Sequence, residues 1–162
     1  MRRRYVTIAV LGTLLLIATV AALPGGRALV VEDAETGEQY LTAPVEDGTT
    51  VALEYMHSVE KTRVYDEYTV RGDHLEMTRM EFESFGWGLP SGANVTREDG
   101  MYVFDPPGNY TRVTVSPGDV AGHKLHVGAE TYDLVARTNG RSVHLYVTQR
   151  SAFGAATDQL NT

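Results

Sequence analysis

The chain of 162 residues contains no cysteine and only two lysines, Lys61 and Lys124. The missing cysteine excludes disulfides, thiolate metal sites, a thiol nucleophile and a lipid anchor carried on cysteine. It does not place the chain in the cytosol, because secreted domains can fold without disulfides. Arginine supplies the other basic residues, and 14 Lys and Arg stand against 21 Asp and Glu, a net charge of −7. Setting aside Arg2, Arg3 and Arg4 leaves −10 for the remainder. An acidic, lysine-poor surface is expected of a protein adapted to high salt, where screening removes self-repulsion. An ordinary acidic extracellular domain is the alternative. Neither offers the basic footprint that nucleic acid requires.

Catalytic motifs are equally scarce. No glycine loop followed by Lys-Ser/Thr is present to cradle phosphate, and there is no Gly-x-Ser-x-Gly nucleophile elbow. Ser58 beside His57 does not make a nucleophile and base, because adjacent side chains on a strand point apart. No catalytic residue, metal site or cofactor is assigned, and an enzyme is not expected. Repeats, low-complexity blocks and a second domain are absent too.

What is present begins with an apolar run at residues 5–23, directly after the three arginines. A helix of that length nearly matches the hydrocarbon core of a bilayer. The arginines place the N-terminus in the cytoplasm and the rest outside. A retained single-pass anchor is the favoured reading. Secretion after cleavage near Ala22, where Val20-x-Ala22 resembles a small-residue cleavage site, is the alternative. The Arg-Arg-x-Tyr-Val start also fits a twin-arginine export signal loosely. Pro24-Gly25-Gly26 closes the run, which divides the chain into an anchor and linker (1–27), a β-domain (28–150) and a small polar tail (151–162).

From residue 28 onward, short strands alternate with turn signals at spacings near ten residues, and helical periodicity is almost missing. Strands are expected at 29–31, 39–41, 51–58, 62–70, 74–82, 101–104, 110–115, 124–127, 131–135 and 142–147. Thr36-Gly37, Glu46-Asp47-Gly48, Arg71-Gly72-Asp73, Asp105-Pro106-Pro107-Gly108 and Pro117-Gly118-Asp119 supply turns, and Asn139-Gly140 reads as a hairpin turn. This pattern predicts an all-β fold, a single small antiparallel sandwich or partly open barrel.

The most informative stretch is 51–68. Val51, Leu53, Tyr55 and His57 alternate with Ala52, Glu54, Met56 and Ser58, which predicts a half-buried strand with His57 at the end of its apolar face. A Ser58-Val59-Glu60-Lys61 link of the longer, type-I-based kind then joins it to the next strand. His57, Ser58, Glu60 and Glu67 are expected near one another at this hairpin. A His beside carboxylates serves as a base or an oriented ligand; equally, it is a strand-end residue in a solvated rim.

His57-Ser58-Val59-Glu60-Lys61-Thr62, preceded by the alternating strand and followed by Glu67-Tyr68, resembles the domain-of-unknown-function family 1850. The second block of that family, a Gly-x-Gly after a strand, is matched by Ser84-Phe85-Gly86-Trp87-Gly88-Leu89-Pro90. Trp87 replaces the usual small residue between the glycines, and Pro90 replaces the usual acidic residue two positions after the second. The resemblance spans roughly residues 28–150, and the acidic, lysine-poor composition is that expected of a haloarchaeal-like member. The resemblance implies a small extracytoplasmic protein associated with TAXI-type TRAP transporters, with a TRAP permease or solute receptor as partner. It brings no established activity.

Gly86-Trp87-Gly88 is the second candidate site, either an aromatic contact platform or a bulged turn whose Trp plugs the core. His123-x-x-His126 suggests a metal pair, yet positions three apart on a strand face opposite ways. Glu76, Glu81 and Glu83 lack the loop spacing of a calcium site. Asn94 and Asn109 head glycosylation sequons, relevant if the domain lies outside the cell. The leading expectation is a membrane-anchored extracytoplasmic accessory module with a contact surface at His57, Ser58, Glu60, Glu67, Gly86, Trp87 and Gly88. A small-ligand or cation-binding protein using His57, Glu60 and Glu67 is the alternative.

Overall fold

A computed structural model describes residues 24–84 and 95–151. Twelve strands lie within those residues: β1 (Pro24–Asp33), β2 (Gln39–Val45), β3 (Thr50–Met56), β4 (Arg63–Arg71), β5 (His74–Phe82), β6 (Thr96–Glu98), β7 (Met101–Phe104), β8 (Gly108–Tyr110), β9 (Val113–Val115), β10 (Lys124–Val127), β11 (Glu130–Asp133) and β12 (Val143–Ser151). One short helix, α1 (Leu134–Thr138), separates the last two. The architecture is all-β and antiparallel, as the turn spacing predicts. The expected membrane span at 5–23 and the tail from 152 lie outside the described residues. No helix among those described is long and apolar enough to cross a membrane.

The chain divides into two compact units, Ala28–Thr148 and Met1–Arg27 with Gln149–Thr162. The described part of the second unit is limited to the outer ends of β1 and β12. Within the first, one sheet has the order β2-β1-β12-β9, and the other runs β11-β10-β3-β4-β5-β7-β6 with β8 also paired to β5. Their inner faces share one core, in which Leu29, Val31, Leu145 and Val147 from the first sheet meet Val51, Leu53, Val70, Leu75 and Leu125 from the second. Period-2 alternation explains this directly: on β4, Val64, Asp66, Tyr68 and Val70 point inward, while Arg63, Tyr65, Glu67 and Thr69 are partly exposed.

Several local expectations are corrected. The strand expected at 131–135 ends at Asp133, whose side chain accepts a hydrogen bond from Ala136 N at 3.0 Å and caps α1. Asn139-Gly140 therefore ends a helix instead of turning a hairpin: Asn139 is left-handed (φ 52°), the usual geometry of a helix C-terminus. The run expected as one strand at 110–115 is cut in two. β8 pairs with β5, and β9 pairs with β12 of the other sheet, so the chain changes sheets at residues 111–112. An unforeseen hairpin joins β6 to β7 through Asp99-Gly100, both at positive φ (48° and 89°). That Asp-Gly pair is the usual sequence of a two-residue primed turn.

Candidate functional site

The β3–β4 hairpin forms with Tyr55 opposite Val64 and Met56 opposite Arg63. His57 lies just beyond β3 and does not continue its apolar face. Its Nδ1 accepts from the backbone N–H of Val59 and Glu60, at 3.3 and 3.2 Å, and so organises the turn. His57 N donates to Thr62 O at 2.8 Å, and Lys61 N donates to His57 O at 3.0 Å. Lys61 takes the left-handed conformation (φ 56°) that closes the loop. Ser58 and Glu60 are exposed beside it.

Glu67 does not join them. It pairs with Ala52 and Arg79, five residues into the strand from Thr62, about 16 Å away at the rise of an extended chain. A β-bulge falls between Glu67 and Tyr68, where Thr78 Oγ1 donates to the Glu67 carboxylate at 3.3 Å. Gly86, Trp87, Gly88 and Asn94 lie outside the described residues. Asn109 is exposed on β8, opposite Glu76.

His123 and His126 fall on opposite faces of the sheet. His126 is on the outer face, 3.6 Å from Glu54, while His123 stacks on Tyr55 with ring centroids 4.9 Å apart. Glu76 and Glu81 are ion-paired: Arg71 reaches Glu76 at 3.0 Å, and Arg79 bridges Glu81 (2.8 Å) and Glu98 (2.7 Å). No group of three metal-ligating side chains occurs among the described residues.

Three exposed apolar side chains belong to the hairpin end and the loop bonded to it: Met56 (40%) and Val120 (68%), which line one cavity, and Val59 (64%) in the 57–62 turn. The residue 117–122 loop is held there by Met56 N donating to Ala121 O at 2.8 Å. A cavity of about 300 Å³ opens between Tyr55, Met56 and Arg63 on one side and Val120, Ala121 and Lys124 on the other.

The residues that sequence reasoning missed lie deeper. A cleft of about 270 Å³ runs between the sheets, with Leu53, Tyr55, Asp66 and Tyr68 on one wall, His123 at one side, and β9 with Ser116 opposite. Asp66 is only 8% exposed. Its Oδ2 accepts from the Tyr55 hydroxyl at 3.2 Å, and its Oδ1 is buried without a partner. Burial pushes the Asp66 carboxyl up to about 6, opposed by the Tyr55 hydrogen bond. His123 Nδ1 is also buried without a partner, and burial pushes that imidazole below its ordinary value. Burial raises both tyrosines, helped by the Asp66 charge. The sequence does carry one signal, a carboxylate in phase with Val64, Tyr68 and Val70.

A second buried carboxylate is structural. Asp33, 2% exposed, accepts from Arg141 Nε and Nη2, from Tyr40 Oη at 2.8 Å, and from the N–H groups of Glu35 and Thr36. The Arg141 guanidinium, then the Thr36 N–H, hold its carboxyl well below the usual range. The Asp66 cleft shows no such compensation.

Two antiparallel sheets around one core define an all-β domain, with exposed apolar side chains at one hairpin end and an acidic inter-sheet cleft. Residues 51–134, just over half of the chain, match the model of the family described as Domain of unknown function (DUF1850), and the chain belongs to that family. The match includes the 57–62 turn, Asp66 and His123, but neither Asp33 nor Arg141. No curated protein and no solved structure matches the chain.

Proposed function

We propose that the protein is a non-catalytic, membrane-anchored extracytoplasmic accessory module that docks a protein partner with the end of its β3–β4 hairpin. The carrying observation is that Met56, Val59 and Val120, three of the four exposed large apolar side chains among the described residues, belong to the hairpin and the loop bonded to its end. Clustered apolar exposure marks contact sites, whereas scattered exposure is ordinary. The neighbouring cavity of about 300 Å³ provides a socket for a partner side chain. Ser58 and Glu60 form the polar rim, with His57 holding the turn in shape. High salt, which the acidic composition anticipates, screens charge pairing but leaves apolar docking in force. Anchoring rests on the apolar run at 5–23. A TRAP-type permease or solute receptor as the partner rests on the family resemblance alone.

A photo-crosslinking residue placed at Val59 or Val120, in native membranes at high salt, tests this reading. The expected result is a discrete adduct with a transporter subunit from both positions and none from Asp73, at the far end of β4. Equal labelling from all three positions contradicts it. Small-ligand binding is a second reading, favoured by the Asp66 cleft and not by His57, Glu60 and Glu67.

A further inference from the structure

The inter-sheet cleft holds a carboxylate without a cation. Among the described residues Asp66 Oδ1 is buried and unpartnered, and no arginine or lysine lines the space around it. Buried carboxylates in folded proteins are ordinarily paired, metal-bound or protonated. Asp33 shows the paired solution within the same domain, through Arg141. Asp66 lines the cleft with no described cation beside it. His123 borders that cleft with a second unpartnered buried atom, Nδ1.

We propose that the cleft is a binding site for a small alkylammonium ion, which turns the Asp66 and His123 side chains toward it so that its N–H groups donate to Asp66 Oδ1 and His123 Nδ1. The site has one carboxylate and one imidazole, and no group of three ligating side chains occurs among the described residues, which fits neither calcium nor zinc. An anion would face the Asp66 charge with no positive group among the described lining residues to offset it. Leu53, Val113 and the rings of Tyr55 and Tyr68 supply apolar and aromatic wall, which favours an organic cation over a hydrated inorganic one. A space of about 270 Å³ equals about nine waters at ~30 Å³ each, which suits a short chain. Burial keeps His123 neutral, so Nδ1 accepts when Nε2 carries the proton. This site is separate from the hairpin end, and neither proposal depends on the other.

Proton competition follows. The ammonium binds the ionised carboxylate, so affinity is full at pH 7.5 and falls about tenfold for each unit below the Asp66 pKa of about 6. The other titratable groups facing Asp66 are Tyr55 from β3, Tyr68 from β4 and His123 beside β10; β9 contributes none. The tyrosines remain neutral throughout, and protonation of His123 at lower pH adds repulsion.

The test uses the detergent-solubilised full chain, titrated calorimetrically with n-butylammonium, n-butanol and n-butyrate, while the Asp66 carboxyl ¹³C shift is followed by NMR. Saturable binding of n-butylammonium alone is expected, with a downward shift of the Asp66 pKa. Asp66→Asn should weaken it at least tenfold. His123→Phe, which keeps a ring against Tyr55 and removes the acceptor, should weaken it several-fold with Tm unchanged. No saturable n-butylammonium signal, an equal response to butanol or butyrate, or binding unaltered by both substitutions overturns the proposal.

Discussion

Tyr55 and Asp66 meet on the inner face of adjacent strands, the tyrosine hydroxyl donating to the carboxylate at 3.2 Å. Leu53 lies directly across from Asp66, and Tyr55 reaches it diagonally from opposite Val64. This one hydrogen bond is all that offsets the burial of the charge.

The first prediction concerns pH. The folded carboxyl is raised from 3.8 to about 6, so the unfolded chain ionises first and folding then carries a penalty. The penalty is absent below pH 3.8, grows through about 6, and reaches about 3 kcal/mol above that. Asp66→Asn removes it but leaves an amide N–H unpartnered, at about 1–2 kcal/mol. The variant should be more stable than wild type by about 1–2 kcal/mol at pH 7.5 and less stable by about 1 kcal/mol at pH 4, measured by denaturant unfolding. A gain that is the same at both values contradicts the assignment.

Tyr55→Phe should raise the Asp66 pKa above its value of about 6, because the hydrogen bond that favours the ionised form is lost. An NMR titration of the carboxyl carbon reads this directly.

Asp33 is the opposite case. Its carboxyl is held low by Arg141, so the stability from this cluster is present above the unfolded carboxylate pKa and is lost as pH falls. Asp33→Asn should lower Tm by several degrees at pH 7.5 and make unfolding less sensitive to acid.

The 57–62 turn separates a structural histidine from a functional one. His57→Ala should cost about 1 kcal/mol, since two backbone N–H groups lose their acceptor, and His57→Asn should restore most of it. Lys61→Gly should stabilise by about 0.5–1 kcal/mol, because Lys61 sits at φ 56°, where an L side chain is strained. Thermal unfolding decides both.

Much of the fold is legible because strand alternation is local. The β3 and β4 pattern, the turn at Gly72 and the β1–β2 turn at Gly37 are written in neighbouring residues. The pairing of β9 with β12, and of Asp33 with Arg141 across 108 positions, is not, since no local period specifies which edges meet. Asp133 and Asn139 were readable as helix caps, but five residues are too short for helical periodicity to show. The hairpin was readable as a hairpin, but the role of His57 was not, because a ring nitrogen accepting two turn N–H groups leaves no trace in spacing. Glu67 was drawn to His57 by sequence proximity, although an extended strand carries it away.

Docking through the hairpin end is tested most directly by its loss on adding charge there. The measurement is affinity capture of the tagged full chain from native membranes at high salt, comparing wild type with a Val59→Asp, Val120→Asp double variant of matched Tm. Both side chains are largely exposed, so folding should be unaffected. The account predicts a transporter subunit recovered in stable ratio with wild type and reduced at least tenfold with the variant. Equal recovery with both, or wild type recovered alone, would contradict it.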